Sequence, residues 1–161
     1  LGSHRGGGGG GGKGGGGGEG GAVPHAIGVI TPYKAQARLL QSLLAAASSP
    51  PRRKGLERDR EATVPAALRL ALRDVEVSTV DGFQGREKEL VVVSCVRANE
   101  MRRGGLGFLT DARRVNVMLT RARSGLVVVG HPQTLMRDAD VWGPWVDWAR
   151  EGGLEVVLPP P

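Results

Sequence analysis

The run Leu90-Val91-Val92-Val93-Ser94-Cys95-Val96 decides the fold, because it is almost continuously apolar and rich in β-branched residues. A strand with one face in water alternates apolar and polar residues, whereas a strand buried on both faces of a parallel sheet does not. Similar runs lie at residues 26–30, 75–80 and 126–130, with helical segments between them. The sequence therefore predicts an α/β fold in which helices cover both faces of a parallel sheet.

The remaining segments are arranged around these strands. Pro32 ends the first strand, and the amphipathic segment after it predicts a helix to about residue 46. Pro65, followed by alanines and leucines, favours a short helix at residues 64–73. Residues 48–62 are rich in proline and charge and predict a surface loop insertion, whose basic start could also touch phosphates. Residues 154–158 are apolar and predict a last edge strand.

Glycine is distributed unevenly, since most of the 27 glycines precede residue 22. Such a tract cannot bury enough surface to offset its ordering entropy, so residues 1–22 are predicted to be a disordered glycine-rich linker and residues 23–158 the folded domain. One Arg5-Gly6-Gly7 triplet leaves open an RNA-binding segment instead. The formal net charge of +6 favours a polyanionic partner without proving one.

A second stretch suggests chemistry. In Arg114-Val115-Asn116-Val117-Met118-Leu119-Thr120-Arg121-Ala122-Arg123, the helical period predicts an apolar stripe with Arg114 and Arg121 nearly in line on one flank. Arginine suits phosphate chemistry because its guanidinium is always charged and can stabilise a transferring phosphoryl group. The alternative interpretation is a solvated basic face. Polar turns also follow the strands, and we expect them to converge at the carboxyl edge of the sheet.

Four segments in this order resemble the motifs of a known family. They are ITPYKAQ (30–36), STVDGFQGREKEL (78–90), SCVRANE (94–100) and GFLTDARRVNVMLTRAR (107–123). They look like motifs IV, V and VI of superfamily 1 helicases, in the branch of the up-frameshift RNA helicases and senataxin-like proteins. The resemblance covers residues 26–132 and implies the second, carboxyl-terminal RecA-like domain of such a helicase, within the P-loop NTPase superfamily.

The resemblance implies roles for five residues near ATP. Arg121 would be the arginine finger that reaches the γ-phosphate, and Arg114 would be a supporting contact on the phosphate side. Glu87 would accept a hydrogen bond from the ribose, and Gly85 would let the backbone approach the nucleotide. Gln84 would couple the ATP site to the nucleic-acid site.

Three further residues would contact a single strand of RNA or DNA. Thr79, Thr31 and Pro32 match motif positions that face the sugar-phosphate backbone. Backbone contacts carry no sequence information, so we expect binding that is largely indifferent to sequence. Ser124 departs from the family pattern, in which many relatives carry Tyr or Lys.

The sequence contains no Gly-x-x-x-x-Gly-Lys-Ser/Thr loop. The resemblance therefore implies that an upstream RecA-like domain of the same parent chain binds most of the ATP and Mg²⁺, and that this chain alone does not hydrolyse ATP. The parent would be an ATP-dependent 5′-to-3′ helicase or translocase. The alternative is a non-catalytic nucleic-acid-binding module, although the presence of Arg121, Glu87, Gln84 and Arg114 together favours the enzyme.

Other conspicuous residues have plainer interpretations. Trp142, Trp145 and Trp148 could stack bases, but a last helix that docks its aromatic side on the sheet is favoured. Cys95 is interpreted as an inert packing residue. The three histidines lack ligand spacing, so no metal site is predicted. The sequence has neither a long apolar run nor a signal peptide, so we expect no membrane partner and a location in the cytoplasm or nucleus.

Overall fold

The structure, a computed structural model, describes residues 26–50, 64–98 and 105–158. The sequence predicts a disordered segment at residues 1–22 and a surface loop at residues 48–62. Residues 1–22 and 51–62 lie outside the described ranges. The strands are β1 (Ile27–Thr31), β2 (Glu76–Thr79), β3 (Lys88–Ser94) and β4 (Ala122–Val129). The helices are α1 (Lys34–Ser48), α2 (Ala66–Arg73), α3 (Ala112–Leu119), α4 (Pro132–Leu135) and α5 (Trp142–Glu151), with 3-10 turns at Asp81–Phe83 and Gly107–Thr110.

The strands form one parallel sheet in the order β2-β1-β3-β4, which confirms the predicted α/β class. In the register, Val29 of β1 pairs with Val77 on one side and Val92 on the other. The predicted helices at residues 34–46 and 64–73 are present as α1 and α2. Strand β4 begins at Ala122 rather than near residue 126, because its first residues pair with Lys88 and its neighbours in β3.

The predicted edge strand at residues 154–158 is wrong. These residues form no strand, and Val156 and Val157 are 80% and 83% exposed. Helix α5 ends in a glycine cap, in which Gly153 has φ 65° and the Leu154 N–H donates to the Ala149 carbonyl at 2.8 Å. In this Schellman-type cap the N–H of Leu154, the first residue of the predicted strand, is already bonded to the helix.

The crossover between β2 and β3 is unusually short. The two strands are parallel and β1 lies between them, so residues 80–87 must return from the carboxyl end of the sheet to its amino end across β1. A parallel crossover ordinarily uses about a dozen residues, usually with an α-helix. Here one 3-10 turn places Phe83, which is fully buried, against the face of β1. An added Cβ at Gly28 would lie 2.6 Å from Phe83 Cζ, so Gly28 provides the space for this ring.

The carboxyl-terminal helix closes the core. Trp142 is fully buried, and its indole Nε1 donates to the Leu109 carbonyl at 2.9 Å. Trp145 is partly buried against the same cluster. Trp148, however, is 60% exposed, so the prediction that all three tryptophans dock inward is wrong for this residue. Its place on α5 turns it away from the side occupied by Trp142, Val146 and Ala149.

Gly28→Ala is expected to lower the free energy of unfolding by about 1–3 kcal/mol, because the new methyl group overpacks the site filled by Phe83. Urea denaturation of the full chain would measure the loss. Gly125→Ala is the matched control, since its Cβ would meet only the flexible end of Leu90, at 3.0 Å. In a Phe83→Ala background the Gly28→Ala penalty should shrink, and an equal penalty in both backgrounds would contradict this packing.

Candidate functional site

Two of the residues assigned to the nucleotide lie side by side at the amino edge of the sheet. Glu87 directly precedes β3, and Arg121 directly precedes β4. The Lys88 N–H donates to the Arg121 carbonyl at 3.0 Å, and this hydrogen bond joins the start of β3 to the start of β4. Gly85, with φ 79°, turns the chain just before Glu87 in a conformation that favours glycine.

Arg121 lies in the turn after α3, not on the helix. The predicted alignment of Arg114 and Arg121 along one helical flank is therefore wrong. The helix ends at Leu119, and the Thr120 hydroxyl donates back to the Asn116 carbonyl at 2.7 Å. The chain then continues directly into β4, so Ala122 is a strand residue and not a part of the apolar stripe.

The guanidinium of Arg121 has an unused donor. Its Nη2 donates to Thr120 Oγ1 at 2.9 Å, but its Nε is buried without a hydrogen-bond partner, the one such side-chain nitrogen or oxygen among the described residues. A buried donor without a partner costs free energy, and the cost is larger on a charged group. Arg121 as a whole is only partly buried, so its other guanidinium N–H groups are the ones that a ligand with an anionic oxygen can reach.

Glu87 is held by a residue that the sequence patterns did not single out. Arg123 Nε donates to Glu87 Oε2 at 3.0 Å, and Arg123 Nη1 lies 3.9 Å from Glu89 Oε1. The Ser124 hydroxyl donates to Glu89 Oε2 at 2.6 Å. Arg123 is 61% exposed, so this pair adds little stability, and its effect is to orient the carboxylate. Pairing β3 beside β4 brings the opposite charges together, which the spacing along the chain does not reveal.

A second ion-pair group anchors the same edge. Lys88 Nζ lies 2.7 Å from Glu76 Oε2, and Arg86 forms an ion pair with the same carboxylate. The Lys88 side chain is only 12% exposed. The hydrogen bond from Lys88, aided by Arg86, holds the pKa of Glu76 below its ordinary value of 4.5 against the opposing effect of burial. These pairs tie the start of β2 to the start of β3, beside Glu87.

Arg114 and Gln84 lie apart from the Arg121 turn. Arg114 Nε is 3.3 Å from Asp81 Oδ1, so the arginine on α3 is tied to the crossover. Asp111 caps the helix by accepting from the backbone N–H groups of Arg113 and Arg114, at 3.0 and 3.3 Å. Gln84, Asp81, Arg113 and Arg114 line a small cavity of about 130 Å³ along the crossover, together with Val80 and Val117. Gln84 therefore lies on the segment that runs between the two edges.

The residues assigned to a nucleic-acid strand meet at the carboxyl edge. Thr31 and Thr79 are paired in the register of β1 and β2, and Pro32 follows Thr31. Thr79 and Pro32 are partly exposed. Thr31 is fully buried, and its Oγ1 accepts from the Tyr33 N–H at 3.5 Å, so Thr31 supports the turn instead of presenting a hydroxyl to solvent.

The residues assigned to the nucleotide at the amino edge and those assigned to the nucleic-acid strand at the carboxyl edge are separated by the length of β3. Six residue steps from Lys88 to Ser94, at roughly 3.3 Å each, place them roughly 20 Å apart. The expectation that the polar turns converge at the carboxyl edge is therefore wrong. The physical reason is the crossover: it leaves β2 at the carboxyl edge with Asp81 and reaches the amino edge with Glu87, so one motif contributes to both ends.

Comparison with known proteins shows the family of the chain. A family model described as an AAA domain matches residues 18–133. The Regulator of nonsense transcripts 1 homolog of Arabidopsis thaliana is 43% identical over 118 residues, which cover 73% of this chain. The chain belongs to the up-frameshift branch of superfamily 1 helicases.

Two yeast relatives extend the comparison with this helicase domain. The ATP-dependent helicase NAM7 of Saccharomyces cerevisiae is 43% identical over 137 residues, or 84% of the chain. The DNA polymerase alpha-associated DNA helicase A of the same yeast is 40% identical over 128 residues, or 79% of the chain. The chain spans 8% of the length of the Arabidopsis relative, 12% of NAM7 and 15% of helicase A.

Three further observations concern metal ligands, membrane spans and the single thiol of this helicase domain. In the described ranges no group of three or more His, Cys, Asp or Glu side chains could hold a metal ion. No helix of the described part of the chain is long and apolar enough to cross a membrane. Cys95 is fully buried, and burial raises its pKa to about 12, so the thiol stays protonated at neutral pH as an inert packing residue would.

Glu76→Gln is expected to lower the melting temperature at pH 7, and the gap to the wild type should close as the pH falls below 4.5. The folded pKa of Glu76 is depressed, so its stabilising contribution is present above 4.5 and is lost as the carboxylate protonates. Thermal melts of the full chain across this pH range would measure the gap. Glu89→Gln, at an exposed carboxylate, is the matched control with a smaller gap. A Glu76→Gln gap that persists in acid would contradict the ion pair.

Proposed function

We propose that this chain is the second RecA-like domain of an ATP-dependent helicase or translocase, and that it supplies Arg121 to the γ-phosphate of ATP. The observation that carries the proposal is the position of Arg121 in the turn before β4, where its carbonyl accepts from the N–H of Lys88, the residue after Glu87, and where its guanidinium has more donors than the one bonded to Thr120. An arginine in this position can neutralise the charge that develops on the transferring phosphoryl group. Glu87, oriented by Arg123, is placed to accept a hydrogen bond from the ribose.

The proposal assigns the other parts of the motor to an upstream RecA-like domain. That domain would hold most of the ATP, and its Mg²⁺ would neutralise charge on the phosphates. This chain lacks the phosphate-binding loop, so we expect the chain alone neither to hydrolyse ATP nor to unwind a duplex. Gly85 lets the backbone approach the nucleotide. Arg114 pairs with Asp81 and lies over Phe108 near the carboxyl edge, so it would act on the phosphate side only indirectly, through the crossover.

The nucleic-acid strand is proposed to lie at the carboxyl edge. Thr79 and Pro32 present partly exposed surface there, and Gln84 lies on the crossover that leads to the Arg121 edge. A crossover joining the two edges would let the strand influence ATP turnover. Movement in the 5′-to-3′ direction, single-stranded RNA or DNA as the substrate, and a cytoplasmic or nuclear location complete the proposal. The name of one relative, ATP-dependent helicase NAM7, supports the ATP-driven part, and the name of a second, DNA polymerase alpha-associated DNA helicase A, supports helicase activity.

Arg121→Ala in the parent protein is expected to lower strand-stimulated ATP turnover about 1,000-fold, with strand affinity nearly unchanged, because the finger stabilises only the transition state. A coupled assay of phosphate release, with single-stranded RNA and single-stranded DNA in separate arms, would measure turnover. Arg150→Ala is the matched control, since Arg150 pairs with Glu155 beyond the end of α5. Full turnover in Arg121→Ala would remove this residue from the ATP site.

Thr79→Ala in the parent protein, unlike Arg121→Ala, is expected to change the affinity for the strand. Loss of one hydrogen bond of about 1 kcal/mol weakens strand binding about fivefold and reduces stimulation by the strand. Thr79 Oγ1 also accepts from the Gly82 N–H at 3.3 Å, so Thr79→Ser is the control that keeps both the turn and the hydroxyl. No ATP turnover by the wild-type parent, with strand binding retained, would favour the non-catalytic binding module instead.

A further inference from the structure

A cluster of two aromatic rings and two arginines lies at the carboxyl edge of the sheet, next to Pro32. The Tyr33 and Phe108 rings meet edge to face, with centroids 5.8 Å apart. The Arg97 guanidinium lies 5.3 Å from the centroid of Tyr33, and the Arg114 guanidinium 4.8 Å from that of Phe108. Phe108 is 48% exposed, so this cluster is not part of the core. We call it the aromatic-arginine cluster.

The backbone is strained to hold Arg97 in this cluster. Val96 has φ 65°, and the Arg97 N–H donates to the Cys95 carbonyl at 2.7 Å, which makes residues 95–97 a γ-turn with its central residue at positive φ. This form of the γ-turn is rare, and a β-branched residue in this region is an outlier. Strain of this kind concentrates at functional sites. It brings the Arg97 side chain to Tyr33 immediately after β3.

The Tyr33 hydroxyl makes two hydrogen bonds. It accepts from Arg97 Nε at 2.9 Å and donates to the Leu106 carbonyl at 3.5 Å. Gly107 has φ 58°, and an added Cβ would lie 3.2 Å from the Tyr33 hydroxyl. Two residues at positive φ, Val96 and Gly107, therefore lie in the segments that contact this tyrosine.

A cavity of about 460 Å³ opens between this tyrosine and the first turns of α1. It is lined by Tyr33, Ala35, Gln36, Leu39, Val96 and Arg97. It is a shallow depression that is open to solvent and not an enclosed pocket. Leu39 and Val96 expose apolar surface to it, and Arg97 supplies a positive charge at its rim. A flat, apolar group attached to an anionic backbone matches both properties.

We propose that this cavity receives one unstacked base of the single strand that crosses Pro32 and Thr79. The inference rests on the proposed function and adds to it a base-binding site beside the backbone contacts. Tyr33 follows Pro32 directly, so a backbone lying on Pro32 brings its next base to the cavity. Every base has a π-face, so stacking here tolerates any sequence and both RNA and DNA. The base of ATP at Glu87 would lie at the other edge, roughly 20 Å away along β3.

The test uses the full chain and a single strand of about ten nucleotides, which matches the footprint of common single-strand sites. Each strand carries one fluorescent 2-aminopurine, whose emission falls when the base stacks, and RNA and DNA versions form separate arms. A strand of equal length without bases measures backbone binding alone, at low salt. We expect tighter binding of the base-bearing strand than of the abasic strand, with quenched emission that excess ATP does not restore.

Tyr33→Ala should weaken binding of the base-bearing strand about 5- to 150-fold, the loss expected for one stacked base, and leave abasic binding unchanged. Tyr33→Phe, which keeps the ring, should retain the quenching. Because Tyr33 precedes α1 and its loss could affect folding, Ala35→Leu is a second variant. Ala35 is exposed on α1, and a bulkier side chain there narrows the cavity, so quenching should be lost in a fully folded protein.

Equal affinity for base-bearing and abasic strands in the wild type would overturn the base site and leave the backbone contacts standing. Quenching that survives both Tyr33→Ala and Ala35→Leu would also overturn it, and so would release of the base by ATP. Failure of the wild type to bind either strand at low salt would instead overturn the strand contacts of the proposed function, and the base site with them. Base-dependent affinity lost in both variants establishes the site.

Discussion

The packing of Phe83 against Gly28 is the constraint on which the rest of the structure depends. Two parallel strands, β2 and β3, flank β1, and the chain between them must return across β1, from the carboxyl end of the sheet to its amino end, within residues 80–87. It has no room for an α-helix, so one buried ring takes the place of the helix that usually covers such a crossover. The missing side chain at Gly28 makes that possible, since any Cβ there would collide with the ring.

This short crossover organises the functional surface. It leaves the carboxyl edge beside Thr79 and arrives at the amino edge beside Arg121, where the backbone of Lys88 bonds to that of Arg121. Along the way Asp81 holds Arg114, and Gln84 lines the cavity between them. A ligand that moves either end of the crossover acts on a segment whose middle is fixed in the core by Phe83. Under the proposed function, that arrangement would give a physical route by which strand binding and ATP turnover affect each other.

Local sequence patterns predicted most of the fold, because apolar runs and helix signals act over a few residues. The run 90–96 lies largely in β3, and the helices predicted after Pro32 and around Pro65 are present as α1 and α2. What the patterns missed depends on tertiary contacts. The helical period of 114–123 could not show that Thr120 would end the helix and leave Arg121 in a turn. The apolar residues 154–158 lack a strand partner, although their composition is that of a strand.

The sequence could name candidate residues for the site but not their layout. The resemblance to the helicase motifs implied roles for Arg121, Glu87 and Thr79, but the register of β3 with β4 decides that Arg123 orients Glu87, and the crossover decides that Thr79 lies at the far edge. The positive φ of Val96, which draws Arg97 to Tyr33, had no signal in the sequence, because valine is ordinarily a strand residue.

The most direct test of the central claim, that the two ligands occupy opposite edges of this sheet, is a crystal structure of the parent protein with a non-hydrolysable ATP analogue and a single-stranded oligonucleotide. We predict the γ-phosphate within hydrogen-bond distance of Arg121, the ribose at Glu87, and the oligonucleotide across Pro32 and Thr79. Both ligands at one edge of the sheet, or a γ-phosphate out of reach of Arg121, would contradict that claim.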